Sequence, residues 1–498
     1  MREVQNSQMR LGEVDVSRIQ IDTRSRDDIP QLLLGLQHIY NDRGIREQLF
    51  ALLQAEIAPT VDKKTGRPGM TLWSIFVCGT VRLALNIDYD RLGELANQHD
   101  TLRQMLGHAT FTSGTYHHQT LKDNLRLFTP ELLDKINQII VGCGHALINP
   151  KSAALHGRCD SFVVETNVHY PTDITLLFDA LRKVIELIAQ LADVLGLSGW
   201  RQHAYNLTHL KRHLRSAQNA RYRKTRNKDG QPQTDEQKEA RVIEAHEAYL
   251  TVAQHYLAKA QATLAEANLT SPLQLTLKIA IETFMQHAVR QIDQTRRRVI
   301  HREVIPHAEK VFSVFETHTE WISKGKAGVP VELGKRCCVL EDQHRFILHH
   351  VVMDKQTDEQ IAETIIKGAT TRFPQLRLCS FDKGFHSPAN QVELKNYLEA
   401  VVLPRKGKLS QAAREIEGEE AFVRARRQHS AVESAINALE VHGLDRCPDR
   451  GLDAFKRYVA LAVVARNILR VGALIKEAEQ RRAARKKCAR AAPDKLAA

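Results

Sequence analysis

Ala154-Leu155-His156-Gly157-Arg158-Cys159-Asp160-Ser161-Phe162-Val163-Val164-Glu165 is the stretch on which the fold turns. It is rich in apolar and β-branched residues. It runs into Thr166-Asn167-Val168-His169-Tyr170-Pro171, where a proline stops it, and this predicts a strand followed by a loop. One ionisable group, Asp160, lies inside it. An ionised carboxylate in an apolar strand is costly unless a cation or a donor compensates it, so Asp160 is the first candidate for chemistry.

Upstream, residues 1–150 read as helical. Thr71 is a plausible N-cap after the loop Gly66-Arg67-Pro68-Gly69, and Leu72, Ile75, Phe76, Val77, Val81 and Leu85 follow at helical spacing. A second run holds Leu92, Leu95, Leu102 and Met105, and a third covers Glu131 to Ile148. Short helices joined by basic loops fit a helix-turn-helix-like DNA-binding module, and equally a plain bundle.

Downstream the pattern is helical again to about residue 300. Leu181 to Leu195 ends at Gly196, and 235–267 and 274–300 suit a helical hairpin. Between them, Arg201 to Lys228 holds nine Lys or Arg and no Asp or Glu. Such a run repels itself, and a phosphate backbone relieves that. Arg212, Arg215, Arg221, Arg223 and Lys224 are its candidate DNA contacts.

Strand patterns return near 305: Val311–Phe315, then Lys335–Leu340 and Arg345–Met353 across the turn Glu341-Asp342-Gln343-His344. A helix over Asp358–Thr370, a strand over Leu376–Phe381, a helix over Pro388–Leu398 and a strand over Glu399–Leu403 follow. From about 428 the chain is helical, with an interruption near Pro448. A β-β-β-α-β-α-β-α order thus assembles from 151–170 and 305–445, a mixed α/β core. The expected organisation is a helical DNA-binding region (1–150), a core (151–170 and 305–470), a helical insertion after the first strand (171–304) and a basic tail (471–498).

The 498 residues carry a net charge of +13, with 43% hydrophobic and 26% charged residues. That is globular composition with a charge suited to a polyanion. The eight cysteines include no CxxC pair, which argues against a zinc site or a disulfide framework. The N-terminus has no signal-peptide core. The apolar run Val459–Leu469 contains Arg466 and reads as too short to span a bilayer. A cytoplasmic, nucleoid-associated protein without membrane contact is expected.

Two further carboxylates stand out. Asp382 ends an apolar strand and precedes Lys383-Gly384-Phe385, and Glu433 borders the helical stripe Val432, Ala435, Ile436 and Leu439. Singly, each of the three has an ordinary structural reading: a strand-end cap, the first residue of a turn, a surface helix residue. Together they would repel, and a pair of Mg²⁺ ions would remove that penalty.

Three blocks tie them together: Asp160 through Asp173, Ser380 through Asn390, and Ala431 through Glu440. They resemble the blocks of DDE insertion-sequence transposases, the ISNCY type above all. Ser313 through Ile322, Lys324-Gly325-Lys326 and Glu332-Leu333-Gly334 are similar as well. The resemblance implies an RNase H-like core in which Asp160, Asp382 and Glu433 are the catalytic ligands of Mg²⁺, with Mn²⁺ able to substitute. Their spacings are 382 − 160 = 222 and 433 − 382 = 51 residues. Asn167, Lys383 and Asn390 are candidate supporting residues, and Arg405 and Lys406 candidate phosphate contacts. Two departures stand beside the likeness. Many relatives carry their large insertion between the second Asp and the Glu, and many place Tyr and Arg before that Glu and Lys after it. Here Arg426, His429 and Glu440 stand at those offsets.

The implied activity is cleavage at terminal inverted repeats and joining of 3′-OH ends to target DNA by a homodimer on paired ends. The alternatives are a metal-dependent nuclease without strand transfer, and a non-catalytic DNA-binding relic.

Overall fold

The computed structural model describes residues 3–5, 8–9, 11–57, 69–109, 114–148, 154–222, 234–323 and 330–491. Contacts divide the chain into two compact units, Met1–Asn167 with Ile322–Ala498, and Val168–Trp321. The sequence pattern puts the ends of the insertion at 171 and 304.

Seven helices lead: α1 (Asp28–Asn41), α2 (Arg43–Ile57), α3 (Leu72–Ala84), α4 (Tyr89–Gln98), α5 (Asp100–Met105), α6 (His118–Leu125) and α7 (Pro130–Ile148). Side-chain caps explain several starts: Asp27 accepts from the Ile29 N–H, Thr71 from Ser74 and Asp88 from Arg91. Every residue of α3 is buried, as befits a helix with no polar face. The strand β1 (Leu155–Thr166) follows.

The chain then forms the second unit, which among the described residues has four α-helices: α8 (Asp173–Leu195), α9 (His203–Asn219), α10 (Asp235–Glu266) and α11 (Pro272–Val299). Helix α8 packs against the other three through Leu177, Leu181, Val184, Ile188 and Leu191. Capping boxes start α8, α10 and α11 at Thr172, Thr234 and Ser271. Gly196 ends α8 at φ +71°, the left-handed cap that glycine favours. At the two ends of this unit, Tyr170 and Trp321 bring their rings to 5.6 Å.

The remaining elements are β2 (Glu320–Ser323), β3 (Val331–Asp342), β4 (Ile347–Val352), α12 (Asp358–Arg372), β5 (Leu376–Phe381), α13 (Pro388–Glu393), β6 (Ala400–Val402), α14 (Gln411–Gly418), α15 (Glu420–His429), α16 (Ala431–Leu439), β7 (Arg446–Cys447) and α17 (Leu452–Ala491). The sheet runs β2-β3-β1-β5-β6, with β4 also on β3 and β7 on β1. Strand β1 is antiparallel to β3 (Cys159 opposite Leu340) and parallel to β5 (Cys159 opposite Phe381). Strands β3 and β4 form the expected hairpin, and β6 is parallel to β5. The fold is a mixed α/β one whose sheet combines parallel and antiparallel strands.

Helix α17 is the spine of this unit, packing against α1, α3, α7 and β4. Its stretch Leu452–Arg485 is long and apolar enough to cross a bilayer, contrary to the sequence reading. Yet 72% of its apolar window is buried in the fold, the signature of a core helix. N-terminal helices, sheet and α17 share one hydrophobic cluster, so residues 1–148 belong to the unit of the sheet. A buried polar knot ties three of these elements. The Asn467 amide donates to Asn137 Oδ1 at 2.7 Å and to the Ile347 carbonyl at 2.9 Å, and accepts the Ile347 N–H at 3.0 Å.

Three local expectations need correction. Val311–Phe315 is no strand: Ser313 Oγ accepts the N–H groups of Phe315 (3.2 Å) and Glu316 (3.0 Å), which folds the segment into a turn. The nearby strand is β2. Segment 411–429, in which the sequence pattern marks no element before about 428, forms α14 and α15. Strand β7 is also unanticipated.

Candidate active site

Register builds the site. Cys159 of β1 stands opposite Phe381 of β5 on parallel strands. The next residue on each is Asp160 and Asp382, adjacent at the inter-strand spacing of about 4.8 Å. Asp382 keeps an extended backbone (φ −73°, ψ 161°) and makes no side-chain cap bond to the turn Lys383–Phe385. Its carboxylate is therefore not consumed locally.

Strand alternation puts Arg158, Asp160, Ser380 and Asp382 on one face. Helices α15 and α16 cover it: α15 packs on β5 and α16 on β1. His429, the last residue of α15, sits 3.0 Å from Ser380 Oγ through Nδ1. Four residues on, in the first turn of α16, the exposed Glu433 faces the same neighbourhood.

Electrostatics report the convergence. Burial pushes the Asp160 carboxyl up to about 6, and the charges of Asp382, Asp358 and Glu433 push the same way, opposed by the Ser161 N–H, which donates to Asp160 Oδ1 at 2.7 Å. Burial lowers His429, while Asp382 and Glu433 raise it and Arg158 lowers it. Asp160, Asp382 and Glu433 are in no salt bridge among the described residues. Arg158, a guanidinium on this face, is engaged by the buried Glu341 at 3.2 Å. Burial raises Glu341 to about 7 despite that arginine.

Hard carboxylate oxygens with surplus negative charge are the donor chemistry of Mg²⁺ or Mn²⁺. Among the described residues, however, no three His, Cys, Asp or Glu side chains already stand close enough together to hold a metal ion. The donor set fits in type and charge, and its side chains would have to draw together around an ion.

The other expected site residues scatter. Asn390 is buried, and its amide donates to the carbonyls of Phe385 and Glu359, both at 2.8 Å. It thereby holds the turn after Asp382. Lys383 is exposed beside that turn. Arg405 and Lys406 are exposed in the loop after β6. Lys406 donates to the Gly384 carbonyl at 3.1 Å and lies 3.6 Å from Glu359, so this basic pair flanks the Asp382 turn. Asn167 is exposed just past the end of β1, seven residues beyond Asp160, roughly 23 Å at the rise of an extended strand, and does not join the group. Arg212 and Arg215 lie exposed on α9, and Arg221 is exposed just past its end. Arg223 and Lys224 lie outside the described residues.

Asp358, Ser380 and Arg158 are additions that sequence reasoning missed, and His429, which it noted only as a departure from the family pattern, joins them. Asp358 accepts from Ser161 Oγ at 2.6 Å. Ser161 points to the face opposite Asp160, so Asp358 adds charge to Asp160 from the far side of the sheet. No family model, curated protein or solved structure matches the chain.

Proposed function

We propose that the chain is a Mg²⁺-dependent DNA transposase with an RNase H-like core, in which Asp160, Asp382 and Glu433 hold the metal. One observation carries this reading: two aspartates adjacent where the pairing of parallel strands ends and a glutamate from a covering helix are coupled electrostatically, with no ion pair to any of them among the described residues. The sheet lends support. It has an antiparallel meander of β1, β3 and β4 flanked by the parallel β5 and β6, as an RNase H-like core requires. The three sequence blocks and the +13 charge point the same way.

When bound, a pair of divalent ions supplies Lewis-acid stabilisation of the attacking and leaving oxygens of a phosphodiester. The protein contributes position and charge. Strands β1 and β5 fix the spacing of Asp160 and Asp382, and Asn390 holds the turn that aims Asp382. Glu433 closes the set from α16. Arg405 and Lys406 present positive charge beside the turn, where a DNA backbone can be gripped. N-terminal helices and the basic α9 region bind terminal inverted repeats, and a homodimer holds two ends for joining to target DNA.

The test is strand transfer by the full chain on pre-cut ends of its own element with a target plasmid and Mg²⁺. Joined products are expected, with more than about 100-fold loss in Asp160→Asn, Asp382→Asn and Glu433→Gln, beyond the usual cost of disturbing a ligand's support. Hydrolysis without joining makes the protein a nuclease. Undiminished joining by Asp382→Asn overturns the metal mechanism.

A further inference from the structure

The unit that holds the triad also contains a cavity of about 830 Å³ where α17 begins, bounded by α3, α4, α6 and the loop Pro448–Gly451. Five cations line it: Arg82, Lys122, Arg126, Arg450 and Arg457. Three carboxylates, Asp88, Asp449 and Asp453, share its wall. Two of these are occupied. Asp449 receives both terminal nitrogens of Arg82, at 2.8 and 3.4 Å, and Asp88 caps α4 through the Arg91 N–H at 2.8 Å. Among the described residues, no ion pair engages Lys122, Arg450 or Arg457, although Arg457 Nη1 donates to the Arg126 carbonyl at 3.5 Å, and the one ion-pair partner of the Arg126 guanidinium is Asp123 at 3.8 Å. A cluster of this kind repels itself and is stabilised by an anion.

Arg82 is the anchor. It is 4% exposed, held between the rings of Tyr89 at 4.2 Å and Tyr458 at 5.2 Å, and its Nε has no hydrogen-bond partner. A guanidinium keeps its charge at any physiological pH; Asp449 balances that of Arg82, so the positive surplus of the wall rests on Lys122, Arg126, Arg450 and Arg457. The start of the 40-residue α17 adds to it. The first N–H groups of a helix lack intrahelical acceptors and carry partial positive charge. Gly451, at φ +87°, makes the turn into that helix, and a side chain there would meet nothing within 4 Å, so the approach is open.

We infer that this cavity is a phosphate-binding site, in which Arg126, Arg450, Lys122 and the N-terminus of α17 grip the phosphate oxygens while Arg82 and Asp449 fix the wall. Guanidinium forks and helix N-termini share this ligand chemistry. The phosphate can be carried on the DNA backbone or come free, as inorganic phosphate. The site stands apart from the triad, and the inference does not rest on it. Thr166, which pairs with Cys447 just before the Pro448 loop, lies six positions along β1 from Asp160.

The experiment uses the full chain and two probes. Inorganic phosphate is titrated calorimetrically, and a random-sequence duplex is followed by anisotropy over a salt series. Arg126 and Arg450 are exposed, so Arg126→Gln/Arg450→Gln should fold, which thermal unfolding checks. Arg450→Glu alone is the second variant, and Arg24→Glu, far along the chain, is the control. The expected result is at least about 10-fold weaker phosphate binding in both variants, the loss of one charge-assisted bond, with the control unchanged. If the phosphate belongs to DNA, duplex affinity also falls, and the slope of log K on log salt shrinks by about 0.9 for each phosphate no longer neutralised. If it is free, duplex binding stays as in the wild type. Wild-type and variant proteins that agree in both titrations overturn the inference. Asp382→Asn, which disables the triad, should leave phosphate binding intact, so failure here and failure of the transposase reading are distinguishable.

Discussion

Asp160 is half-buried among like charges, and this has a measurable cost. Its carboxyl stands at about 6 in the fold against roughly 3.9 in an unfolded chain. Between those values the folded state holds the proton that the unfolded state releases, so stability falls as pH rises from about 4 to about 6. The penalty is absent below that window and complete above it, at about 3 kcal/mol for two pH units. Asp160→Asn should therefore raise the melting temperature of the metal-free protein at pH 8 and leave it unchanged at pH 4. Adding Mg²⁺ at pH 8 should stabilise the wild type and not this variant. A melting temperature equally indifferent to pH and Mg²⁺ in both proteins would sink this account. At this scale the sequence is legible where a charge interrupts an apolar strand, as at Asp160 and Asp382. Glu433 is legible only through resemblance, because an exposed helix glutamate has no pattern of its own. Asp358 is illegible because its partner Ser161 lies 197 residues away. The sequence reading makes Asn390 a support for the chemistry. Its environment, set by the two carbonyls it reaches, shows a fastening for the Asp382 turn.

Among elements, strand β5 and helices α10, α11 and α12 fall close to where periodicity puts them, because their apolar residues repeat cleanly and caps bound them. The misses share a cause. Strand β7 is two residues long and exists only because Glu165 and Thr166 offer it an edge. Val311–Phe315 alternates like a strand but is turned by Ser313. Helix α17 looks short from Val459–Leu469 because its polar flanks hide a helix that runs on past them. Its crossing with α1 depends on two glycines. A Cβ on Gly472 would lie 1.9 Å from the Gln31 carbonyl oxygen, and one on Gly35 would lie 2.4 Å from the Ile468 carbonyl oxygen. The backbones themselves are in contact, and no rotamer change relieves such a clash. Gly472→Ala and Gly35→Ala should each cost about 1–3 kcal/mol, read as a lower denaturation midpoint. An unchanged midpoint would mean that the two helices pack less closely than described.

The whole molecule is an α/β unit interrupted after its first strand by a helical one. The interruption spans Val168–Trp321, 321 − 168 + 1 = 154 residues, enough for a core of its own. That core is present, built on α8, and the ends of the unit meet at Tyr170 and Trp321. Residues 168–321 expressed alone should give a helical circular-dichroism spectrum and a single cooperative thermal transition. A spectrum without cooperative loss would show that the unit depends on the rest of the chain. The sequence discloses the insertion because the period of its apolar residues switches from two to near 3.6 and back. It does not disclose that the N-terminal helices share their core with the sheet, since α1 and α17 are brought together from opposite ends of the chain.

The same interruption sets a clock on synthesis. Strand β1 leaves the ribosome complete at Thr166, and its first partner, β3, begins at Val331, 331 − 166 = 165 residues later. At translation speeds of about 5–20 residues per second, the strand waits roughly 8–30 s with both edges unpaired. The four helices made meanwhile have mostly local contacts and can fold at once. The nascent chain then carries a finished bundle nearest the ribosome and an open, apolar β-edge ahead of it.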